Sequence, residues 1–296
     1  MNAAVLIFVA CAYALAIVLS VAIWLTSGNE SPLHSLGLIS MFIPAAAVLA
    51  ARYATGEQLR VDWRFPPKRY VPLALFLMPA VMHAVMLSAT VFLTGELPWQ
   101  DWLTHPANDV FRSPAQLGWG SLNERELYVH LVMNAITGLL IVSFLAFFEE
   151  IGWRAWLLQR LAARVSPRKA ILAVAVIWAL WHVPFLLSGI LSFANVSRGP
   201  ATVIMPVGEF GAGLVIGWFW IRTRSIWIVS LAHGALNNWG QYAFKFMKDA
   251  PVSIFGTVYR SYDTIVLASG TVALVVLGGL LVLWCAPDVK TSEREI

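Results

Sequence analysis

Long apolar runs are the feature that most constrains this chain of 296 residues. About 20 consecutive apolar residues cross the hydrocarbon core of a bilayer as one helix. Only helices and closed barrels satisfy their backbone hydrogen bonds at that depth. Hydrophobic residues make up 59% of the chain and charged residues only 12%, which excludes an ordinary soluble globular protein. We therefore predict an all-α, polytopic membrane protein that forms a single integral membrane domain over residues 1–296.

Eight segments are predicted to cross the membrane, with boundaries that are soft by several residues. They are residues 3–26, 35–53, 70–95, 127–158, 169–191, 202–221, 225–246 and 263–285. The first run is longer than the core of a signal peptide, so we predict that it is retained as a span. The spans are expected to enclose a polar cavity. The polar stretch 96–126 is long enough to form a short amphipathic helix over the outer mouth of that cavity.

The distribution of Lys and Arg predicts the orientation of the spans. The connectors on one side, with the C-terminal tail, carry thirteen of these residues, and the connectors on the other side carry six. Because cytoplasmic connectors are enriched in Lys and Arg, both termini are predicted to be cytoplasmic. The basic residues lie in short connectors, which gives no support for nucleic-acid binding and leaves the lipid bilayer as the predicted partner. Cys11 and Cys285 are far apart in apolar runs and predict neither a disulfide nor a cysteine metal site.

The segment FFEEIGWRAW, residues 147–156, places three ionisable groups inside an apolar span. Each charge at bilayer depth costs roughly 2.5–3.5 kcal/mol, which a segment that only spans would avoid. Glu150 and Arg154 are four residues apart on one helical face, so we predict an ion pair. Glu149 is rotated by about 100° and has no partner built into the helix. It is therefore the predicted carboxylate for taking a proton from water, and a purely structural network of the three groups is the alternative.

Two further spans carry polar side chains within apolar runs. His182 lies deep in an apolar run just before Pro184, and His233 precedes Asn237 by four residues, which places these last two on one helical face. A rise of 1.5 Å per residue puts Glu149 roughly 14 Å, His233 roughly 12 Å and His182 roughly 20 Å from the cytoplasmic ends of their spans. We expect these groups to converge in the cytoplasmic half of the membrane.

The remaining polar residues of the spans suggest lesser roles. Glu209 is expected near the outer end of the sixth span, where a helper role and a structural role are both open. His83 is predicted to be structural, and Asn238 is predicted to form a hydrogen bond between helices. Close helix packing is predicted at four glycines of the sixth span: Gly208, Gly211, Gly213 and Gly217.

The three motif segments occur in the order EEIGWR (149–154), WALWH (178–182) and HGALN (233–237). This ordered set resembles the EExxxR, aromatic-xxx-His and HxxxN motifs of the CPBP family, also called the ABI family. That family comprises CAAX proteases and bacteriocin-processing enzymes of the glutamate-type intramembrane class. The resemblance covers residues 125–245, the motif-bearing core, together with a similar layout of eight spans. Trp178 departs from the Phe that is more usual in the family and keeps an aromatic wall at this position.

The resemblance implies an intramembrane endopeptidase, a hydrolase that cleaves near the terminus of a membrane-associated protein or peptide. Glu149 and His182 would activate a water molecule, and His233 and Asn237 would donate hydrogen bonds to the oxyanion. Glu150 and Arg154 would hold the geometry, with Trp178 in support. No cofactor is implied. The substrate remains open between a prenylated C-terminal peptide, a bacteriocin leader and a C-terminal sorting signal.

Three alternatives remain at this point. Two histidines, a carboxylate and a water molecule also match the ligand set of a catalytic zinc site, although the chain has no HExxH motif. A non-catalytic immunity or regulatory protein would bind peptide in the same cavity. A proton-coupled transporter would use intramembrane Glu and His as relays, but the sequence has no internal repeat that supports it.

Overall fold

The computed structural model describes residues 3–26, 31–57, 67–97, 129, 132–191, 196–240, 251–254, 257–259 and 262–285. Its α-helices are α1 (Ala3–Leu25), α2 (Ile43–Thr55), α3 (Tyr70–Thr94), α4 (Leu139–Glu150), α5 (Gln159–Ala162), α6 (Pro167–Trp181), α7 (Val183–Ser188), α8 (Arg198–Thr223), α9 (Ile226–Trp239) and α10 (Asp263–Trp284). A 3₁₀-helix (His34–Phe42) leads into α2, and π-helical segments precede α4 (Asn134–Gly138) and follow it (Ile151–Leu158). Strands β1 (Val252–Ile254) and β2 (Thr257–Tyr259) form an antiparallel hairpin between α9 and α10. The predicted helix at 96–126 lies outside the described residues, apart from 96 and 97.

Seven helical stretches in the described part of the chain are long and apolar enough to cross a membrane. They are Ala3–Leu25, Leu36–Thr55, Tyr70–Thr94, Asn134–Ala162, Pro167–Ser188, Arg198–Thr223 and Asp263–Trp284. Each coincides with a predicted span, which confirms the polytopic all-α fold. The remaining predicted span, 225–246, contains α9, whose 14 residues extend about 21 Å. Residues 241–246 of that span lie outside the described part.

Glycines bring α8 into close contact with α6 and α10. A Cβ atom at Gly211 would lie 2.5 Å from the backbone nitrogen of Val275 in α10. A Cβ atom at Gly213 would lie 3.0 Å from the Cβ of Ala175 and 3.2 Å from the Trp178 ring in α6. A larger residue at either position would force the helices apart, so the predicted close packing of this span is confirmed here.

Helix α1 is fixed against α6 by hydrogen bonds from two aromatic side chains, the partly buried Tyr13 and the buried Trp181. The Tyr13 hydroxyl donates to the carbonyl oxygen of Ile177 at 2.7 Å. The Trp181 indole N–H donates to the carbonyl oxygen of Ala12 at 3.1 Å. These bonds cover one side of α6, the helix that carries the second motif.

The outer surface of the helices is apolar over large areas. Among its exposed side chains, Phe92 is 86% exposed, Val18 66% and Phe144 62%. Such surface is unusual on a soluble monomer and is what the acyl chains of a bilayer solvate. The protein is an integral, multi-pass membrane protein.

Polar contacts inside and beside the bundle are few and specific. The Asn238 amide donates to the carbonyl oxygen of Asn134 at 3.2 Å, which confirms the predicted bond between helices. His83 instead bonds within its own helix, where its Nδ1 lies 2.6 Å from the Pro79 carbonyl oxygen. Where α5 follows the second π-helical segment, the partly exposed Arg160 donates from Nη2 to the Glu57 carboxylate at 2.9 Å.

Candidate active site

The last turn of α4 and the π-helical segment after it carry the first motif. Glu149 is 4% exposed, and Glu150 and Arg154 are fully buried. The Arg154 Nη1 donates to Glu150 Oε1 at 2.7 Å, which confirms the predicted ion pair. Because the π-helical segment begins directly after Glu150, the helix becomes wider at the point where the Glu150 and Arg154 side chains are buried. Such segments are frequent at functional sites.

Glu150 also connects this helix to α9. His233 lies 2.8 Å from Glu150 through its Nδ1, at the same oxygen that Arg154 contacts. Close packing allows this approach, since a Cβ atom at Gly234 would lie only 2.6 Å from the Cα of Ser143 in α4. One buried carboxylate therefore joins two basic side chains from two helices. The contact between Glu150 and His233 could not be predicted from local spacing, because 83 residues separate the two partners.

Trp178 of α6 contacts most of the other site residues. Its indole N–H donates to Glu149 Oε2 at 3.1 Å. The Cζ atom of Arg154 lies 4.4 Å from the centroid of the Trp178 ring, and the His182 and His233 rings meet it edge to face at 5.0 and 5.3 Å. The partner of Glu149 therefore comes from another helix, which the spacing within its own helix could not indicate. Trp178 therefore donates a hydrogen bond to Glu149 in addition to providing the aromatic surface that its motif position predicts.

His182 lies at the junction between α6 and α7. The helix is interrupted here because Pro184 has no backbone N–H to continue it. His182 Nδ1 lies 2.9 Å from the Trp178 carbonyl oxygen, which can only accept a hydrogen bond. The proton of the neutral ring is therefore on Nδ1, and Nε2 presents a lone pair. Glu149, His182 and His233 each contact Trp178, so the structure brings all three side chains together.

Asn237 and Glu209 complete the set of predicted residues. Asn237 is partly buried, one turn beyond His233 on the same helix. Glu209 was expected near one end of its span, and it lies eleven residues after Arg198, towards the middle of the 26-residue helix α8. Its carboxylate interacts electrostatically with His233 and Arg154.

The described residues include His, Cys, Asp and Glu side chains, the types that bind metal ions in proteins. Among them, no group of three or more His, Cys, Asp and Glu side chains is arranged to hold a metal ion. Glu149, His182 and His233 lie close enough to interact electrostatically, and they do not form such a group.

The region that holds these residues is similar to known proteins. Residues 131–239 match the family model for type II CAAX prenyl endopeptidase Rce1-like proteins. A CAAX prenyl protease 2 from Methanococcus maripaludis is 26% identical over 137 residues, which is 44% of this chain and 48% of that protein. The chain thus matches about half the length of this curated relative. All three motifs fall inside the matched residues, and the match supports the CPBP family that these motifs resemble.

Proposed function

We propose that the chain is an intramembrane endopeptidase that hydrolyses a peptide bond near the terminus of a membrane-associated protein or peptide. The observation that carries this proposal is the buried cluster of Glu149, His182 and His233, which comes from three different helices of a membrane bundle. A helix that only spans the bilayer gains nothing from such groups. The Rce1-like match over residues 131–239 supports the same chemistry.

In the proposed reaction, Glu149 removes a proton from a water molecule. His182 accepts a hydrogen bond from the same water through the lone pair on Nε2. The water oxygen forms a bond to the carbonyl carbon of the peptide, and the carbonyl oxygen becomes an oxyanion. When this intermediate collapses, the C–N bond breaks and Glu149 returns its proton to the departing amine.

His233 and Asn237 are proposed to donate hydrogen bonds to the oxyanion. Nδ1 of His233 is used by Glu150, so its donation comes from Nε2 and requires the doubly protonated ring. The Glu150 carboxylate balances that charge and also pairs with Arg154. One donor to an oxyanion is worth about 2.7–4 kcal/mol in acyl-transfer enzymes. Glu150 and Arg154 are thus proposed to hold His233 in position.

Catalysis is proposed to need no metal, with a zinc enzyme as the runner-up. The basis is the sequence, which has no HExxH motif and takes its two site histidines from different predicted spans.

We also propose that both termini and the site lie on the cytoplasmic side. The basis is the excess of Lys and Arg in the connectors predicted to be cytoplasmic.

The first substrate class to test is a prenylated C-terminal peptide, since the curated relative is named a CAAX prenyl protease. The purified protein in liposomes is expected to cleave such a peptide, with the same peptide lacking the prenyl group as the control. Cleavage is expected to persist in strong chelator, and activity that is lost and then restored by zinc would favour the zinc enzyme. In parallel, mass spectrometry of membrane-protein termini from cells with and without the protein searches for leader and sorting-signal substrates. Binding without cleavage in every case would contradict the proposal and favour a regulatory protein.

A further inference from the structure

We infer that Trp178 is a positioning residue that sets the orientation of Glu149 and His182 together, through its indole N–H and its backbone carbonyl. The inference rests on the proposed function, in which these two side chains share one water molecule. Trp178 is fully buried, and its N–H lies 3.1 Å from Glu149 Oε2. Its carbonyl oxygen lies 2.9 Å from His182 Nδ1.

The two bonds have different consequences for the side chains they hold. The carbonyl of Trp178 fixes the tautomer of His182, so Nε2 faces the reaction as an acceptor. The indole N–H occupies Oε2 of Glu149 and leaves Oε1 as the oxygen to take the proton. A Phe at this position keeps the backbone bond and loses the bond to Glu149. The hydrogen bond from the indole to Glu149 therefore depends on Trp178, and the Phe that is more usual at this motif position could not form it.

The chain offers a matched control three residues away on the same helix. Trp181 is also buried, and its indole N–H also makes a hydrogen bond of 3.1 Å, but the acceptor is the Ala12 carbonyl oxygen of α1. It meets the His182 ring edge to face at 5.1 Å, as Trp178 does at 5.0 Å. Trp178→Phe and Trp181→Phe thus remove the same group from similar surroundings. Only Trp178→Phe removes a hydrogen-bond donor from a carboxylate of the site, that of Glu149.

We expect Trp178→Phe to lower kcat by roughly ten- to one-hundredfold with KM unchanged. That range corresponds to losing one hydrogen bond to a charged group, and KM is expected to stay the same because the indole is fully buried and bonds to Glu149. Trp181→Phe is expected to lower kcat much less at a comparable loss of thermal stability. Replacing Trp178 by 3-benzothienylalanine keeps the fused ring under Arg154 and removes only the N–H. It should therefore behave as Trp178→Phe does.

A second readout is independent of activity. In protein labelled with ¹⁵N-tryptophan, the indole signal of Trp178 is identified by its absence in Trp178→Phe. Glu149→Leu, which removes the acceptor, is expected to shift this signal and to leave the Trp181 signal in place. An unshifted Trp178 signal, or equal losses of kcat in the two Trp→Phe variants, would overturn the inference. If the wild-type protein cleaves nothing, the proposed function fails, and the indole signal still reports whether Trp178 holds Glu149.

Discussion

Glu149→Gln is expected to lower kcat by about 10²–10⁴-fold, the usual contribution of a general base. Glutamine has nearly the same shape and keeps an oxygen to accept from the Trp178 N–H, but it cannot take a proton from water. The measurement is the initial rate of peptide cleavage by purified protein in liposomes, with its thermal unfolding recorded beside it. Because burial of the side chain is retained, stability is expected to change little.

The control for this variant is Glu57→Gln. It makes the same chemical change at a partly exposed ion pair with Arg160, outside the site. Pairs of this kind contribute roughly 0–1 kcal/mol to stability, so both rate and stability should stay close to those of the wild type. Equal rates for Glu149→Gln, Glu57→Gln and wild type would show that Glu149 is not the base.

Glu150→Leu is expected to lower the free energy of unfolding by about 3–5 kcal/mol, the cost of breaking a buried ion pair by removing one partner. Glu150 is fully buried and contacts both Arg154 and His233. Of the three guanidinium nitrogens of Arg154, only Nη1 has a hydrogen-bond partner among the described residues, and that partner is Glu150. The variant therefore leaves a buried cation without its carboxylate. Unfolding by SDS titration of the purified protein measures the loss.

The double variant Glu150→Leu/Arg154→Met distinguishes a lost contact from an uncompensated charge. Apolar replacement of a whole buried pair is often neutral or stabilising, so the double variant should recover most of the stability. Its activity should stay low, because His233 has lost the carboxylate that holds its Nδ1. A single variant as stable as the wild type, or a double variant less stable than the single one, would contradict this role for Glu150.

Local spacing was sufficient to predict what lies within one helix. The pair Glu150 and Arg154 follows from a separation of four residues, and the structure has it at 2.7 Å. The spans follow from runs of apolar residues, and the close packing of α8 follows from its glycines. Each of these features depends on helix geometry and hydropathy, which the sequence carries directly.

The contacts between helices could not be predicted in the same way. The bond from Trp178 to Glu149 spans 29 residues and the contact from His233 to Glu150 spans 83, so each depends on how helices rotate and pack. The sequence placed these residues at similar depths but did not say which atoms meet. The only available signal for the Trp178 bond was the indole itself, a donor at a motif position where Phe is more usual.

The misplacement of Glu209 has a different cause. The sixth span was predicted to begin at residue 202, whereas α8 begins at Arg198. The residues at its start, Arg-Gly-Pro, are poor in hydrophobicity, so an apolar window begins too late. Because helix ends depend on backbone geometry more than on hydropathy, the position of Glu209 along its helix changes with the start of that helix.

Glu149 and His182 are proposed to act on one water molecule, and a double-mutant cycle tests this most directly. The kcat/KM values of Glu149→Gln, His182→Ala and the double variant are measured in liposomes with one peptide substrate. Groups that act as a unit are strongly non-additive, so the double variant is expected to be about as active as the worse single variant. Effects that multiply in the double variant would mean that the two side chains act independently, and would contradict the proposed shared water.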